Sequence, residues 1–202
     1  SRIMRGRALV FAEMEAMFGA CNGSEPIGCR NAALLAILYA AGLRRDELVK
    51  LDLEHYDVHV GELRVLGKGN KERIVPLVRP ARQALGCWLA VRGTAPGPLL
   101  LPFRKRRGAE VVMRRLSTES VRLILKWLCR RAKIDACAPH DFRRTFISDL
   151  LDTTGDLFSV MAVAGHARPE TTQRYDRRPG ERKRKVVEGL NVPFHMPAAL
   201  QP

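Results

Sequence analysis

The stretch GELRVLGKGNKERIVPL, residues 61–77, interrupts a chain whose apolar residues otherwise recur mostly at helical spacing. Its two arms, ELRVL and ERIVPL, alternate apolar and polar residues around a glycine-rich turn, and this pattern predicts a β-hairpin. The preceding HYDVHV, residues 55–60, predicts a third strand. We therefore expect an α+β fold that is mostly helical and carries one small three-stranded antiparallel sheet.

Helical patterns flank the hairpin on both sides, and 202 residues suit one domain, with no internal repeat. The stretch 93–116 contains three prolines and is expected to be a loop. Ser117 or Thr118 is suited to cap the helix that follows it. The segments predicted to be helical are 8–19, 29–41, 44–51, 80–92, about 118–133, a helix from Pro139, 156–165, a short helix carrying Tyr175, and the basic stretch 181–190.

The charge of the chain indicates its partner. Thirty-five Lys and Arg stand against 21 Asp and Glu, giving a net charge of +14 and a pI near 10.4. Such an excess favours a polyanion, and nucleic acid is the leading candidate ahead of an acidic membrane surface. The longest apolar stretch, residues 32–43, is too short to span a membrane and predicts a buried helix.

The five cysteines form no CxxC pair, which argues against a disulfide framework and for a reducing compartment. Cys137 and His140 are close in sequence, but a zinc site needs about four ligands and no second pair stands near them. We therefore predict no metal and no cofactor. The turn containing Lys68 lacks the spacing and the Ser or Thr of a P-loop, so no nucleotide site is predicted there.

Three cationic positions could together bind a phosphate. His140 and Arg143 are three residues apart, so they share one helix face, and an arginine matches phosphate oxygens with parallel hydrogen bonds. The adjacent Arg144 differs by about 100° of helix rotation, so only one of the two arginines should point inward. Arg44 begins a helix whose dipole disfavours its charge, a conflict that a bound phosphate would relieve. Each side chain alone is also consistent with a solvated surface.

Two further positions could supply chemistry. Lys68 lies in the hairpin turn, where flanking glycines allow close approach of a ligand, although a lysine at a hairpin tip is usually only solvated. Tyr175 follows His166 by nine residues in GHARPETTQRY. A tyrosine has a pKa near 10, so a nucleophilic one needs cations or a base beside it, and the alternative is a ring packed on the rim of the core.

In this order, GLRRDEL, GKGNKER, HDFRR, AGHAR and the tyrosine nine residues after its histidine resemble the tyrosine recombinases, or phage integrase family, and in particular the bacterial Xer-type members. The resemblance covers essentially all of residues 1–202 as a catalytic domain. Ala164 stands where a leucine is common, and Arg45 doubles the first arginine. Members usually carry an N-terminal core-binding domain that is not apparent here, so we expect a fragment of a longer recombinase or a reduced form of one.

The resemblance implies site-specific recombination of DNA without metal or ATP. Tyr175 would attack the scissile phosphate and form a 3′-phosphotyrosyl link. Arg44 and Arg143 would stabilise the transition state, and Lys68 would protonate the leaving 5′-oxygen. His140 would accept the tyrosine proton, and His166 would hydrogen-bond the phosphate.

The implied partners are a double-stranded recombination site and the other protomers of a tetramer, with no membrane, in the bacterial cytoplasm at the nucleoid. Residues 181–202 would form a basic helix and tail that packs either on a neighbouring protomer or on its own domain. The basic residues expected to contact DNA, each of which could instead be solvated, are Lys71, Arg73, Arg104, Lys105, Arg106, Arg107, Arg114, Arg115, Arg130 and Arg131.

Three other functions stay open from the sequence. A type IB topoisomerase-like enzyme would share the tyrosine chemistry but relax DNA. A non-catalytic DNA-binding module would bind and not cut. A metal-dependent nuclease or transposase would use carboxylates, for which the candidates are Asp46, Glu47, Asp52, Glu54 and Asp57.

Overall fold

A computed structural model describes residues 6–67, 71–104, 110–166 and 168–175 of the 202-residue chain. Within these ranges the chain folds into helices around one three-stranded sheet, so the predicted α+β class is confirmed. The elements in chain order are α1 Phe11–Gly19, α2 Pro26–Ala40, α3 Arg45–Lys50, a 3₁₀ turn Leu53–His55, β1 Tyr56–Asp57, β2 Glu62–Leu66, β3 Glu72–Pro76, α4 Arg79–Arg92, α5 Thr118–Ala132, α6 Pro139–Thr154, α7 Leu157–Ala164 and α8 Pro169–Gln173.

The sheet is the predicted hairpin with a short third strand. Its order is β1-β2-β3, with antiparallel neighbours throughout. The hairpin register pairs Leu63 with Val75 and Val65 with Arg73. Leu63, Val65 and Val75 are fully buried, so this face of the hairpin lies on the core. The third strand is only two residues long, shorter than the six that alternate in the sequence.

The centre of the core is α2, whose residues 33–38 are all nearly inaccessible to water. It packs against α4 on one side and α6 on the other. Helix α2 begins at Pro26, earlier than the predicted residue 29, because a proline is favoured at the first helical position. None of the described helices combines the length and the hydropathy that a membrane span requires.

The segment before α5 is more ordered than its prolines indicate. It contributes the buried residues Leu99, Leu100 and Leu101 to the core, and it forms bridges from Asp52 to Pro98 and from Phe103 to Val111. Helix α5 is capped as predicted, because the Ser117 hydroxyl accepts a hydrogen bond from the Ser120 amide at 3.0 Å.

The cysteines are free thiols spread over the fold. Cys21, Cys29 and Cys129 are buried, Cys137 is half-buried and Cys87 is exposed. The predicted helix at 181–190 lies outside the described residues.

Candidate active site

Arg143 is the buried centre of the candidate site. Helix α6 turns it inward until it is only 1% exposed. Its Nη1 donates to the main-chain oxygen of Gly42 and its Nη2 to that of Ala164, each at 2.6 Å. Burial and the nearby charge of Arg44 lower its pKa to about 10, so it is still cationic at neutral pH. A guanidinium carries five N–H donors, which leaves further donors for an anion.

Arg44 lies immediately before α3 and reaches the site from the Gly42 side. The carboxylate of Glu47, one turn along the helix, accepts hydrogen bonds from the Arg44 amide at 2.9 Å and from its Nη1 at 2.7 Å. Glu47 is buried, whereas the Arg44 side chain is 44% exposed. Glu47 therefore holds both the main chain and the guanidinium of Arg44, while the side chain stays open to solvent. Binding of an incoming phosphate would require this exposure.

His166 follows Gly165, which ends α7 in the left-handed conformation at φ +66°. Its Nδ1 lies 2.7 Å from the hydroxyl of Thr172. Burial, together with the positive charges of Arg143, Arg44 and Arg73, lowers the pKa of His166 to about 4. The imidazole is therefore neutral at pH 7, and one ring nitrogen can donate to a phosphate oxygen.

Tyr175 lies two residues after the end of α8, in the following turn and not within the helix. Its ring is nearly parallel to that of His166, with centroids 6.2 Å apart and planes 17° apart. The guanidinium carbon of Arg144 lies 5.2 Å from the centre of the same ring. Its main-chain oxygen accepts a hydrogen bond from Ser148 at 3.3 Å. Tyr175 thus lies close to positively charged side chains.

His140 stands one turn before Arg143 on α6, at the exposed side of the site. Partial burial and the charges of Arg143 and Arg144 lower its pKa below the ordinary value. It is therefore mainly neutral near pH 7 and can accept a proton. As predicted, the two arginines point differently: Arg143 is buried at the centre, and Arg144 lies over the tyrosine ring.

Lys68 lies outside the described residues, but the ends of its turn are placed. The Gly67 amide donates to the main-chain oxygen of Lys71 at 2.8 Å. A Cβ added to Gly67 would lie 3.6 Å from Arg73 Nη1 and 3.9 Å from Glu47 Oε1. The hairpin turn therefore begins beside the carboxylate that anchors Arg44.

Among the residues expected to contact DNA, Arg73 occupies a different place. Its side chain is only 10% exposed and is paired with Glu47, so this geometry does not support a phosphate contact. Two others are tied at the surface: Arg104 pairs with Glu110 at 3.2 Å, and Arg115 pairs with Asp52. The exposed ones are Lys71, Arg114, Arg130 and Arg131, while Lys105, Arg106 and Arg107 fall outside the described residues.

The carboxylates weighed as metal ligands do not converge in the described ranges, where no group of three or more Asp, Glu, His or Cys is placed to hold a metal ion. Glu47 forms ion pairs with Arg44 and Arg73, and Asp52 forms one with Arg115. Asp57 accepts the amides of His59 and Val60.

Three residues support the site in ways that the sequence analysis did not predict. Thr172 bonds His166, Ser148 bonds the Tyr175 main chain, and Arg73 bonds Glu47 from inside. Alternation along β3 could have revealed Arg73, because it lies two residues from the buried Val75 and so shares its face. The other two bonds depend on how α6, α7 and α8 pack, for which the sequence offers no local pattern.

Comparison with known proteins identifies the family of the chain. A model of the phage integrase family matches residues 7–181. The tyrosine recombinase XerC of Actinobacillus pleuropneumoniae serotype 7 is 39% identical over 155 residues, which are 76% of this chain and 49% of that protein. The chain spans about half the length of such relatives.

Solved structures share the fold. The crystal structure of XerA recombinase superposes with a TM-score of 0.70 at 25% identity, covering 90% of this chain and 64% of that one. XerH site-specific recombinase bound to its difH substrate, in a pre-cleavage complex, superposes with a TM-score of 0.69 at 21% identity, covering 90% and 54%. Because the family model matches residues 7–181, this chain belongs to the phage integrase family.

Proposed function

We propose that this chain is the catalytic domain of a site-specific tyrosine recombinase, which breaks and rejoins duplex DNA through a covalent 3′-phosphotyrosyl intermediate. The observation that carries the proposal is the convergence of Arg44, His140, Arg143, His166 and Tyr175 on one site from separate elements of the fold. The relatives named above are recombinases, and one of the superposed structures is bound to its difH substrate.

The cations account for the activation of the phosphate. Arg143 and the exposed guanidinium of Arg44 would bind the non-bridging oxygens and stabilise the charge that grows in the pentavalent transition state. His166, neutral at pH 7, would donate a further hydrogen bond. Loss of one such donor typically slows a reaction by about a hundredfold or more.

Proton transfer completes the reaction. The Tyr175 oxygen attacks phosphorus as His140 accepts its proton, and the bond to the 5′-oxygen breaks as Lys68 supplies a proton to it. The phosphodiester bond energy is retained in the phosphotyrosine, so the 5′-hydroxyl of another strand can reverse the step on new DNA. These side chains supply the charge stabilisation and the protons, so the proposed reaction requires neither metal nor ATP.

Binding of the duplex would follow its backbone. The exposed arginines of the chain suit phosphate contacts, whose affinity falls with salt. We propose Lys71, Arg104, Arg114, Arg115, Arg130 and Arg131 as these contacts, together with Lys105, Arg106 and Arg107 in the segment outside the described residues. The complete assembly would be a tetramer on DNA at the bacterial nucleoid.

The test is covalent capture. The substrate is a pool of duplexes, each with a randomised sequence and a nick a few nucleotides away from it. Cleavage in the randomised sequence releases the short strand between the cleavage point and the nick, so the enzyme stays trapped on the DNA. The protein is incubated with the pool in EDTA and resolved on a denaturing gel. The proposal predicts a slow protein–DNA band that Tyr56→Phe, a matched change in the core, retains and Tyr175→Phe abolishes.

The competing functions give different results. A metal-dependent nuclease would cut only without EDTA and form no adduct. A DNA-binding module would shift DNA on a native gel without an adduct. A topoisomerase-like enzyme would relax a supercoiled plasmid without exchanging strands between two of the captured sites.

A further inference from the structure

Arg73 lies almost buried beneath the candidate site, and all three nitrogens of its guanidinium donate hydrogen bonds within the protein. Its Nη1 and Nη2 donate to the two carboxylate oxygens of Glu47 at 3.2 and 2.9 Å. Its Nε donates to the main-chain oxygen of Val163 at 3.1 Å. This bidentate pairing fixes the direction of both groups more closely than a single hydrogen bond would.

The same carboxylate holds Arg44. Oε1 of Glu47 accepts from the side chains of Arg44 and Arg73, and Oε2 accepts from the Arg44 amide and from Arg73. A carboxylate offers about four acceptor positions, so Glu47 is filled by these two arginines. Burial alone would raise the pKa of Glu47, but the hydrogen bonds from Arg73 and Arg44 outweigh it and hold the pKa below the ordinary value. Glu47 is thus an ionised link and not a proton donor.

At its other end, Arg73 supports the turn that presents His166. A Cβ added to Gly165 would lie 3.1 Å from Arg73 Cδ and Nη1, so the side chain lies directly against this glycine. The bond to Val163 secures the last turn of α7. On the hairpin side, a Cβ on Gly67 would lie 3.6 Å from Arg73 Nη1, which places the start of the Lys68 turn against the same guanidinium.

We propose that Arg73 is a positioning residue for the reaction: it joins the Arg44 anchor, Gly67 after β2 and the His166 turn into one preorganised unit without touching the phosphate. The proposal rests on the proposed function for its meaning in catalysis. A preorganised site of this kind avoids reorganisation when charge develops, which is the main source of electrostatic catalysis.

The first test is an NMR titration of the histidines in Arg73→Gln. Arg143 from α6, Arg44 and Glu47 at α3, and Arg73 from β3 face His166 with charge. Loss of the Arg73 charge leaves Glu47 less compensated, so the pKa of His166 should rise by about one unit. The pKa of His140 should change less than that of His166, because Arg73 is not among the charged neighbours of His140, which are Arg143, Arg144, Asp141 and Arg44.

Arg64→Gln is the matched control, since Arg64 lies on the adjacent strand in an exposed pair with Glu72 at 3.3 Å. Arg64→Gln should leave the pKa values of both histidines unchanged. If Arg73→Gln moves the pKa of His166 no more than Arg64→Gln does, the proposal is overturned.

The milder Arg73→Lys keeps the positive charge, and it replaces Arg73→Gln as the test variant if the glutamine variant does not fold. An ammonium is a point charge and cannot hold both Glu47 oxygens and Val163 in one plane. Amide hydrogen exchange at Gly165 and His166, which bond to Ala162 and Met161, should quicken by about tenfold, and Arg64→Lys should have no such effect. Equal exchange in the two lysine variants would refute the proposal. Neither readout needs DNA, so a failure of the proposed function would not be mistaken for a failure here.

Discussion

The rings of His166 and Tyr175 face each other almost in parallel, with their centroids 6.2 Å apart. The histidine is fixed from one side by Thr172, and the tyrosine main chain by Ser148. The nucleophile we propose therefore lies beside a proposed phosphate-binding group.

Arg143→Lys should impair both stability and cleavage. The lysine cannot serve the buried oxygens of Gly42 and Ala164 together, so we expect a loss of about 2 kcal/mol in the free energy of unfolding. Cleavage should slow by at least about a hundredfold, because the bidentate donor to the phosphate is lost. Urea unfolding and single-turnover cleavage measure the two effects. Arg130→Lys, an exposed change on α5, should leave stability unchanged, and an equal loss in both variants would contradict this role.

Arg144 should act on the tyrosine ring through its charge. A cation over an aromatic ring contributes about 1 kcal/mol, so Arg144→Gln should slow single-turnover cleavage by about fivefold. Arg144→Lys keeps a cation near the ring and should recover most of the rate. Identical rates in the two variants would show that the contact at 5.2 Å does not position the tyrosine.

Stability should fall as the pH is lowered from about 6.5 towards 4. The pKa of His166 is about 4 in the folded chain, and its ordinary value is 6.5. The unfolded chain therefore binds more protons in this window and gains stability relative to the folded one as the pH drops. At pH 5 this amounts to about 2 kcal/mol for His166.

Urea unfolding at pH 7 and pH 5 checks this, with His166→Gln as the comparison. The variant should lose less stability between the two pH values than the parent chain, by about 2 kcal/mol. Parallel losses in the two proteins would mean that the imidazole is not kept neutral by its surroundings.

Two glycines should respond to alanine in opposite directions. Gly42 has φ +55°, and an added Cβ would lie 2.1 Å from the ring of Phe146, so Gly42→Ala should destabilise the chain by more than about 1 kcal/mol and displace Arg44. Gly86 is exposed within α4 with nothing within 4 Å, so Gly86→Ala should stabilise it by about 0.5–1 kcal/mol. Thermal unfolding measures the change in stability of both variants. A change of the same sign in both would contradict the placement of one of the two glycines.

The sequence predicted the secondary structure well where periodicity is strong. The hairpin, the apolar α2 and the Ser117 cap were found because alternation, helical spacing and capping are local properties. The short β1, the buried Leu99–Leu101 and the end of α8 before Tyr175 were not, since each depends on packing against distant parts of the chain.

The candidate site was predicted through its ordered motifs, and the structure brings Arg44, His140, Arg143, His166 and Tyr175 together. Arg73 was expected to contact DNA, whereas in the structure its side chain is 10% exposed and paired with Glu47. Alternation along β3 places Arg73 on the same face as the buried Val75, but only the packing of α3 and α7 supplies its partners.

The identity of the residue bonded to DNA tests the central claim most directly. The trapped protein–DNA complex from wild-type protein is digested with protease and nuclease, and the peptides are analysed by mass spectrometry. We expect a nucleotide phosphate on Tyr175 and on no other residue. A phosphate attached to another side chain, or an adduct that persists in Tyr175→Phe, would contradict it.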